Sequence, residues 1–332
     1  MRYFSKKLLV SIFSLLFFFT IFGTVTYAWF SLAKFNQLSN LNIELVTGKE
    51  FQISLDGINF HNEISTTEIE HFIGSKAKLS DITSTDGKNF IFGKLKEDEG
   101  IPEANTDYLS FPLYFRTTRK QKFVYLVNNV SSLVQYDMVR KGTYAVSKGI
   151  LWTADNTFQN GLEADNLIRT GEKYLLNASD AIRIAVIEEQ IENNIFDNRD
   201  SNDLLSKIFD LSGNPDRGYG APFGGISYFN KKHRIQLDPP TEIPTTVYKL
   251  TEFDDTNPYL PLNRNSEILE MIQTIEIDEY GNSYSIGKVI INIWLEGWDA
   301  DCFNAIYSDS LRIQLEFRSG SPTNYTLKQV IN

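Results

Sequence analysis

Val289-Ile-Ile-Asn-Ile-Trp-Leu295 and Leu311-Arg-Ile-Gln-Leu-Glu-Phe317 decide the fold class of this chain. In the second stretch Leu311, Ile313, Leu315 and Phe317 alternate with Arg312, Gln314 and Glu316. That period of two gives an extended strand one apolar and one polar face. In the first, Val289, Ile291, Ile293 and Leu295 line one face, with Ile290 and Trp294 on the other. The connector between them, residues 296–306, has room for one helical turn. Further up the chain, Leu109, Phe111, Leu113 and Phe115 alternate in the same way, and Pro112, which has no N–H to donate, predicts an edge strand or a bulge there. Residues 123–127 and 182–187 read as buried strands. Phe51, Ile53 and Leu55 form another, closed by an Asp56-Gly57 turn. Strands at both ends of the chain predict a mainly β protein, a single antiparallel β-sandwich whose N- and C-terminal strands pair.

The middle of the chain, residues 151–284, is richer in Asn, Asp, Gly and Pro and reads as a partly helical, loop-rich insertion in that sandwich. Leu204, Leu205, Ile208 and Phe209 fall on one helical face, with Ser201 or Asn202 as a cap and Gly213 as a stop, which predicts a helix over residues 203–209. Residues 266–272 predict a second short helix. Residues 214–225 and the Asp238-Pro-Pro-Thr run read as loops.

Composition excludes several classes. Among 332 residues there is a single cysteine, so neither a disulfide framework nor a cysteine zinc cluster can form within the chain. That cysteine, Cys302, follows Asp299 and Asp301, which would raise its thiol pKa, and it reads as structural. The formal net charge of −10 argues against a nucleic-acid partner, which needs clustered Lys and Arg. The histidines are His61, His71 and His233. His61 and His71 flank Glu63, Glu68 and Glu70, but the spacing matches neither HExxH nor its inverse, and the segment reads as solvated surface. Neither a GxSxG elbow nor a P-loop occurs, and no catalytic residue is assigned.

The N-terminus carries an address. Arg2, Lys6 and Lys7 precede residues 8–33, an uncharged run of 26 residues, long enough as a helix to span about 30 Å of hydrocarbon. The basic head keeps its own side cytoplasmic and sends the remainder outside. Thr26 and Ala28 supply the small residues of a signal-peptidase cut before Trp29, and Ser31 and Ala33 supply those of a second cut before Lys34. Residues 1–28 are therefore a signal peptide or a retained membrane anchor, and residues 29–332 an extracellular domain. Cleavage before Trp29 would leave 29 basic against 42 acidic residues, a charge of −13. Neither an LxxC lipobox nor an LPxTG signal is found, so covalent anchoring by those routes is not expected.

Gly23-Thr-Val-Thr-Tyr-Ala-Trp-Phe-Ser31 resembles the end of signal peptides cut by the SipW-type signal peptidase, and Thr47-Gly-Lys-Glu-Phe-Gln-Ile-Ser-Leu55 resembles the strand that follows in its clients, the TasA/camelysin proteins. Leu32 stands where that family often has Asp. The resemblance covers about the first 60 residues. It implies a sandwich of jelly-roll type that assembles into surface fibres or biofilm matrix, and for some members a metallopeptidase label.

Two acidic turns have the oxygen-rich chemistry that hard cations need. Asp210, Ser212, Asn214 and Asp216 occupy alternate positions, although Pro215 and Ala221 break the EF-hand pattern, and Glu296, Asp299 and Asp301 form the second turn. Calcium is the cofactor they would take; no other cofactor is expected. Trp298, backed by Tyr219 and Phe223, is the candidate ligand contact, suited to stacking on a sugar. The expected function is a non-enzymatic, exported surface or matrix protein that joins copies of itself, or other surface proteins, through sheet edges. A monomeric adhesin or glycan-binding module is the first alternative, and a camelysin-like surface metallopeptidase the second. Other expected partners are the signal peptidase and, before cleavage, the membrane.

Overall fold

The computed structural model describes residues 37–38, 40–48, 51–74, 76, 78–93 and 100–321. The hydrophobic leader and the cleavage residues Thr26, Ala28 and Trp29 lie outside them. Among the described residues no helix is long and apolar enough to cross a membrane.

The chain is mainly β, with two mixed sheets. The first is organised by its 14-residue strand Ser283–Glu296. One edge of this strand pairs with Leu109–Thr117 and Leu79–Thr83; the other pairs with Ile182–Glu189 and Ile272–Ile277. The register places Phe111, Ile291 and Val186 in one row across three strands, and Leu109, Ile293 and Ile184 in the next. Such same-face apolar neighbours stabilise a sheet beyond its backbone bonds. The second sheet centres on Ser310–Gly320, which pairs with Asn40–Thr47 on one side and with Tyr144–Ser147 and Phe123–Leu126 on the other. Leu41, Ile43 and Leu45 align with Leu311, Ile313 and Leu315. The apolar faces of the two sheets share one buried cluster, in which Phe115 of the first meets Phe317 of the second edge to face at 5.2 Å.

The N- and C-terminal strands pair as expected, but they run parallel. Leu79–Thr83 also runs parallel to Ser283–Glu296, and Ser206–Phe209 to Thr246–Val247. The sheets are therefore mixed and not purely antiparallel. Hairpin turns impose antiparallel pairing only on strands adjacent in sequence, and these partners are remote. Pro112 lies opposite Ile290, past the point where Gln52–Ser54 stops pairing with this strand. Its end of the strand has one neighbour, which is the edge its missing N–H requires.

Both expected short helices are strands. Ser206–Phe209 pairs with Ile182–Glu189, and Glu267–Glu270 with Phe123–Leu126. Ile208 packs into the outer cluster around Trp294, and Phe209 into the core between the sheets. A strand buried on both faces has consecutive apolar residues and mimics a helical face. In Glu267–Glu270 a bulge between Glu267 and Leu269 brings Ile268 and Leu269 to the same core. Among the described residues the two α-helices are elsewhere, at Thr66–Ile73 and Gly225–His233. The first is closed by a capping box of Ser65 and Glu68. The stretch 151–284 supplies strands to both sheets. Together with Phe303 it also forms a separate aromatic cluster, Trp152, Phe158, Tyr228 and Phe229, under two small hairpins.

A heptapeptide occurs twice: Ser54-Leu-Asp-Gly-Ile-Asn-Phe60 and Ser84-Thr-Asp-Gly-Lys-Asn-Phe90. Both copies fold alike. The Ser Oγ donates to the Asp Oδ1 (2.7 and 3.0 Å), and that oxygen accepts the N–H of the next residue but one and of the Asn, all four at 2.8 Å. The same bonds hold the Asp56 and Asp86 carboxyls below the usual carboxylate range. Both glycines have positive φ, 73° and 71°. Both turns lie over the outer face of the first sheet, Gly57 against Tyr114 and Gly87 against Ala185. Phe90 then covers Trp294 at 5.3 Å. The side of Trp294 and Ile290 turned away from the core is closed in this way.

Candidate functional site

The two acidic turns named from the sequence meet at the end of the strand Ser283–Glu296. Arg183, in register with Trp294, is buried between the carboxylates of Asp299 and Asp210, the latter at 2.9 Å. Burial pushes the Asp299 and Asp210 carboxyls up, and Arg183 pulls both down. Arg217 holds Asp301 through two nitrogens, Nε to Oδ2 at 2.9 Å and Nη2 to Oδ1 at 2.5 Å, and its Nη1 donates to the Asn160 carbonyl at 2.6 Å. Glu296 accepts from Trp294 Nε1 (2.9 Å) and from the backbone N–H of Trp298 (3.0 Å). Asp216 is exposed on the turn Pro215–Arg217. The structure thus brings Asp210, Glu296, Asp299 and Asp301 together and leaves Asp216 outside. Arginines and N–H donors occupy oxygens that a cation would need. Among the described residues no group of three His, Cys, Asp or Glu is placed to hold a metal ion.

Trp298 is half-buried, and its carbonyl accepts from the Gly220 N–H at 2.9 Å. Phe223, expected behind it, is buried, with the Arg217 guanidinium 5.7 Å from its ring centre. Cys302 is buried. His61, His71 and His233 are all exposed; the first two line a 180 Å³ hollow with Glu68 and Asp56, while His233 stacks on Phe229.

A larger cleft, of about 620 Å³, adjoins the arginine cluster. Ala145, Val146, Ser147 and Lys148, on and just past the strand Tyr144–Ser147, line it along one side. One wall is residues 131–137, the other is Asn177, Ser179 and Asp180, and Ser212 closes an end. Tyr144–Ser147 pairs with Ser310–Gly320 along one edge only. The Ala145 N–H points away from that partner, toward Ser131 Oγ at 3.1 Å, and the Lys148 N–H points toward it, to the Ser310 carbonyl. By the alternation of an antiparallel ladder, Ser147 also presents its N–H and C=O to the cleft. The cleft is thus a walled slot along an open strand edge. The only sequence signal for it is the short run between Gly142 and Gly149, which is too brief to stand out beside the longer strands.

Asp180 is one of three charged residues lining this slot, with Asp137 and Lys148. Burial, with Asp301 and Asp210 nearby, raises its carboxyl to about 6 against only a weak hydrogen bond from Ser179 and the field of Arg217. Its folded-state value lies above its unfolded one, so the folded state binds the proton more tightly. The carboxylate costs stability above about pH 6, and that cost is relieved as the pH falls through this value. Through Asp180 alone, urea denaturation is expected to show stability rising by about 1 kcal/mol between pH 7 and pH 5, and Asp180→Asn is expected to lose that part of the rise. An unchanged slope in the variant would assign the titration elsewhere.

Compared with known proteins, the chain matches no protein-family model, no curated protein and no solved structure.

Proposed function

We propose that this is an exported β-sandwich of jelly-roll type that works at the cell surface or in an extracellular matrix by joining copies of itself, the behaviour implied by its resemblance to the TasA/camelysin proteins. The observation that supports this reading best is the open edge of Tyr144–Ser147 in a walled slot. Strand addition at such an edge draws affinity from backbone hydrogen bonds and specificity from the alternate side chains of the incoming segment.

The donor is the stretch freed by leader removal, residues 29–36 of a neighbouring copy. Asn40–Thr47 cannot serve, because it already pairs with Ser310–Gly320 and with Glu63–Ile64 in its own sheet. The donor sequence Trp-Phe-Ser-Leu-Ala-Lys-Phe-Asn carries two positive charges, Lys34 and the α-ammonium that cleavage leaves on Trp29, and the slot offers Asp180 and Asp137 to meet them beside its one cation, Lys148. Ser147→Pro deletes the outward N–H without removing a bond to Ser310–Gly320. Sedimentation of the protein beginning at Trp29 is expected to show concentration-dependent assembly, and the Ser147→Pro protein is expected to stay monomeric at the same concentrations. A parent protein that remains monomeric, or a variant that assembles equally well, refutes the reading.

A further inference from the structure

We infer that the chain carries a second, independent binding site, an oxyanion pocket built around Arg116 and suited to a phosphate ester. Arg116 lies on Leu109–Thr117 with its guanidinium carbon 4.0 Å from the ring centre of Phe60 and 4.8 Å from that of Tyr284. Its Nε and Nη2 both donate to one neutral acceptor, Gln52 Oε1, at 3.1 and 3.0 Å. Two rings and one amide therefore fix the plane of the guanidinium, and its Nη1 has no partner among the described residues. Arg119 stands three residues on and donates to Tyr259 Oη at 3.2 Å.

Among the described residues neither arginine has a carboxylate at ion-pair distance. In a chain of net charge −10, two adjacent arginines held away from acids form a local positive site. They open on a hollow of about 340 Å³, also lined by Asn62, Thr118 and Asp278. Asp278 is the one acid in this lining. Its oxygens accept from the Asn282 side chain and from the N–H groups of Tyr280 and Asn282, so its charge is turned to its own loop.

A guanidinium held in a fixed plane, with N–H groups to spare, recognises oxyanions through directed, charge-assisted bonds. Thr118 and Asn62, which line the same hollow, bring a hydroxyl and an amide as further donors, of use to a tetrahedral phosphate with its several oxygens. The Phe60 ring that anchors Arg116 closes the first of the two repeated turns, so that turn has a role at this site beyond covering the sheet.

The test is calorimetric titration of the protein beginning at Trp29, at low ionic strength, with inorganic phosphate, with glycerol phosphate and with acetate, and sedimentation with phosphatidylglycerol vesicles. Saturable binding of inorganic phosphate or glycerol phosphate is expected, with acetate weaker. Arg116→Gln is expected to weaken it by about tenfold or more, the loss of one charged hydrogen-bonding partner. Arg116→Lys, which keeps the charge and loses the fork, should fall between. Capture by vesicles that is lost in Arg116→Gln would point to a lipid headgroup as the source, and binding of the soluble esters alone to a soluble or polymeric phosphate. Equal binding by the parent and Arg116→Gln, or no saturation with any of the phosphates, overturns the proposal.

Discussion

Arg183→Met is expected to lower the unfolding free energy by about 3–5 kcal/mol, because it strands two buried carboxylates without their cation. Asp210 and Asp299 are each 1% exposed, as is Arg183 itself. Methionine fills much of the arginine's volume, so the loss reports charge more than packing. The pH dependence distinguishes this from a cavity. Burial already raises both carboxyls with Arg183 in place, and its removal raises them further, so stability recovers more steeply in the variant than in the parent as the pH falls. Adding Asp210→Asn and Asp299→Asn to Arg183→Met removes the stranded charges and should recover most of the stability, since neighbours of this kind are not additive. Urea denaturation of the single and triple variants at pH 7 and pH 5 makes the measurement. A single variant as stable as the parent would mean that this cluster does not hold the ends of the two strands and the turn together.

Gly87→Ala is expected to cost about 3 kcal/mol, and Gly57→Ala about 1 kcal/mol, although the two glycines occupy the same position of the same repeated turn. Both have φ near 70°, where a Cβ costs about 1 kcal/mol. The difference lies in what the new methyl meets. At Gly87 it would fall 2.4 Å from the Ala185 Cβ, a side chain with no freedom to yield on a paired central strand. At Gly57 the nearest atoms belong to the Tyr114 ring, at 3.2 Å, and the ring can tilt. Forcing a methyl into a filled core adds about 1–3 kcal/mol at the first site alone. The Gly87 carbonyl also accepts from the buried Asn292 Nδ2 at 2.8 Å, so displacement of the turn breaks a second contact. Thermal or urea midpoints of the pair decide it, and equal losses would show that backbone strain alone sets the cost.

Leu109–Thr117 and Ser310–Gly320 were legible because their apolar residues alternate with polar or less buried ones. Leu311, Ile313, Leu315 and Phe317 alternate with polar residues because one face of that strand meets the core, and the structure buries all four. The helix expected over residues 203–209 failed for the opposite reason. Ile208 and Phe209 are buried on opposite faces, and a run of apolar neighbours carries no period that separates strand from helix. The capping box of Ser65 and Glu68 was present in the sequence and marks a real helix start.

At the candidate site the acidic residues were visible, and four of the five do converge. Their partners were not visible. Arg183 belongs to a strand remote in sequence from both acidic turns, and only the pairing of Ile182–Glu189 with Ser283–Glu296 brings it to Asp299. Charge that looks free for a cation along the chain is spent on arginines in three dimensions. The heptapeptide repeat was readable outright, at residues 54–60 and 84–90. A search for repeats of solenoid or propeller length passes over it, because the repeated unit is a single turn.

The account depends above all on the Tyr144–Ser147 edge receiving a strand from another copy. Amide hydrogen exchange of the protein beginning at Trp29, compared between dilute and concentrated samples, measures that edge directly. The account predicts that the Ser147 amide, open in the dilute monomer, becomes protected in step with assembly, along with amides of residues 29–36. Assembly that leaves the Ser147 amide exchanging at its monomer rate would contradict it.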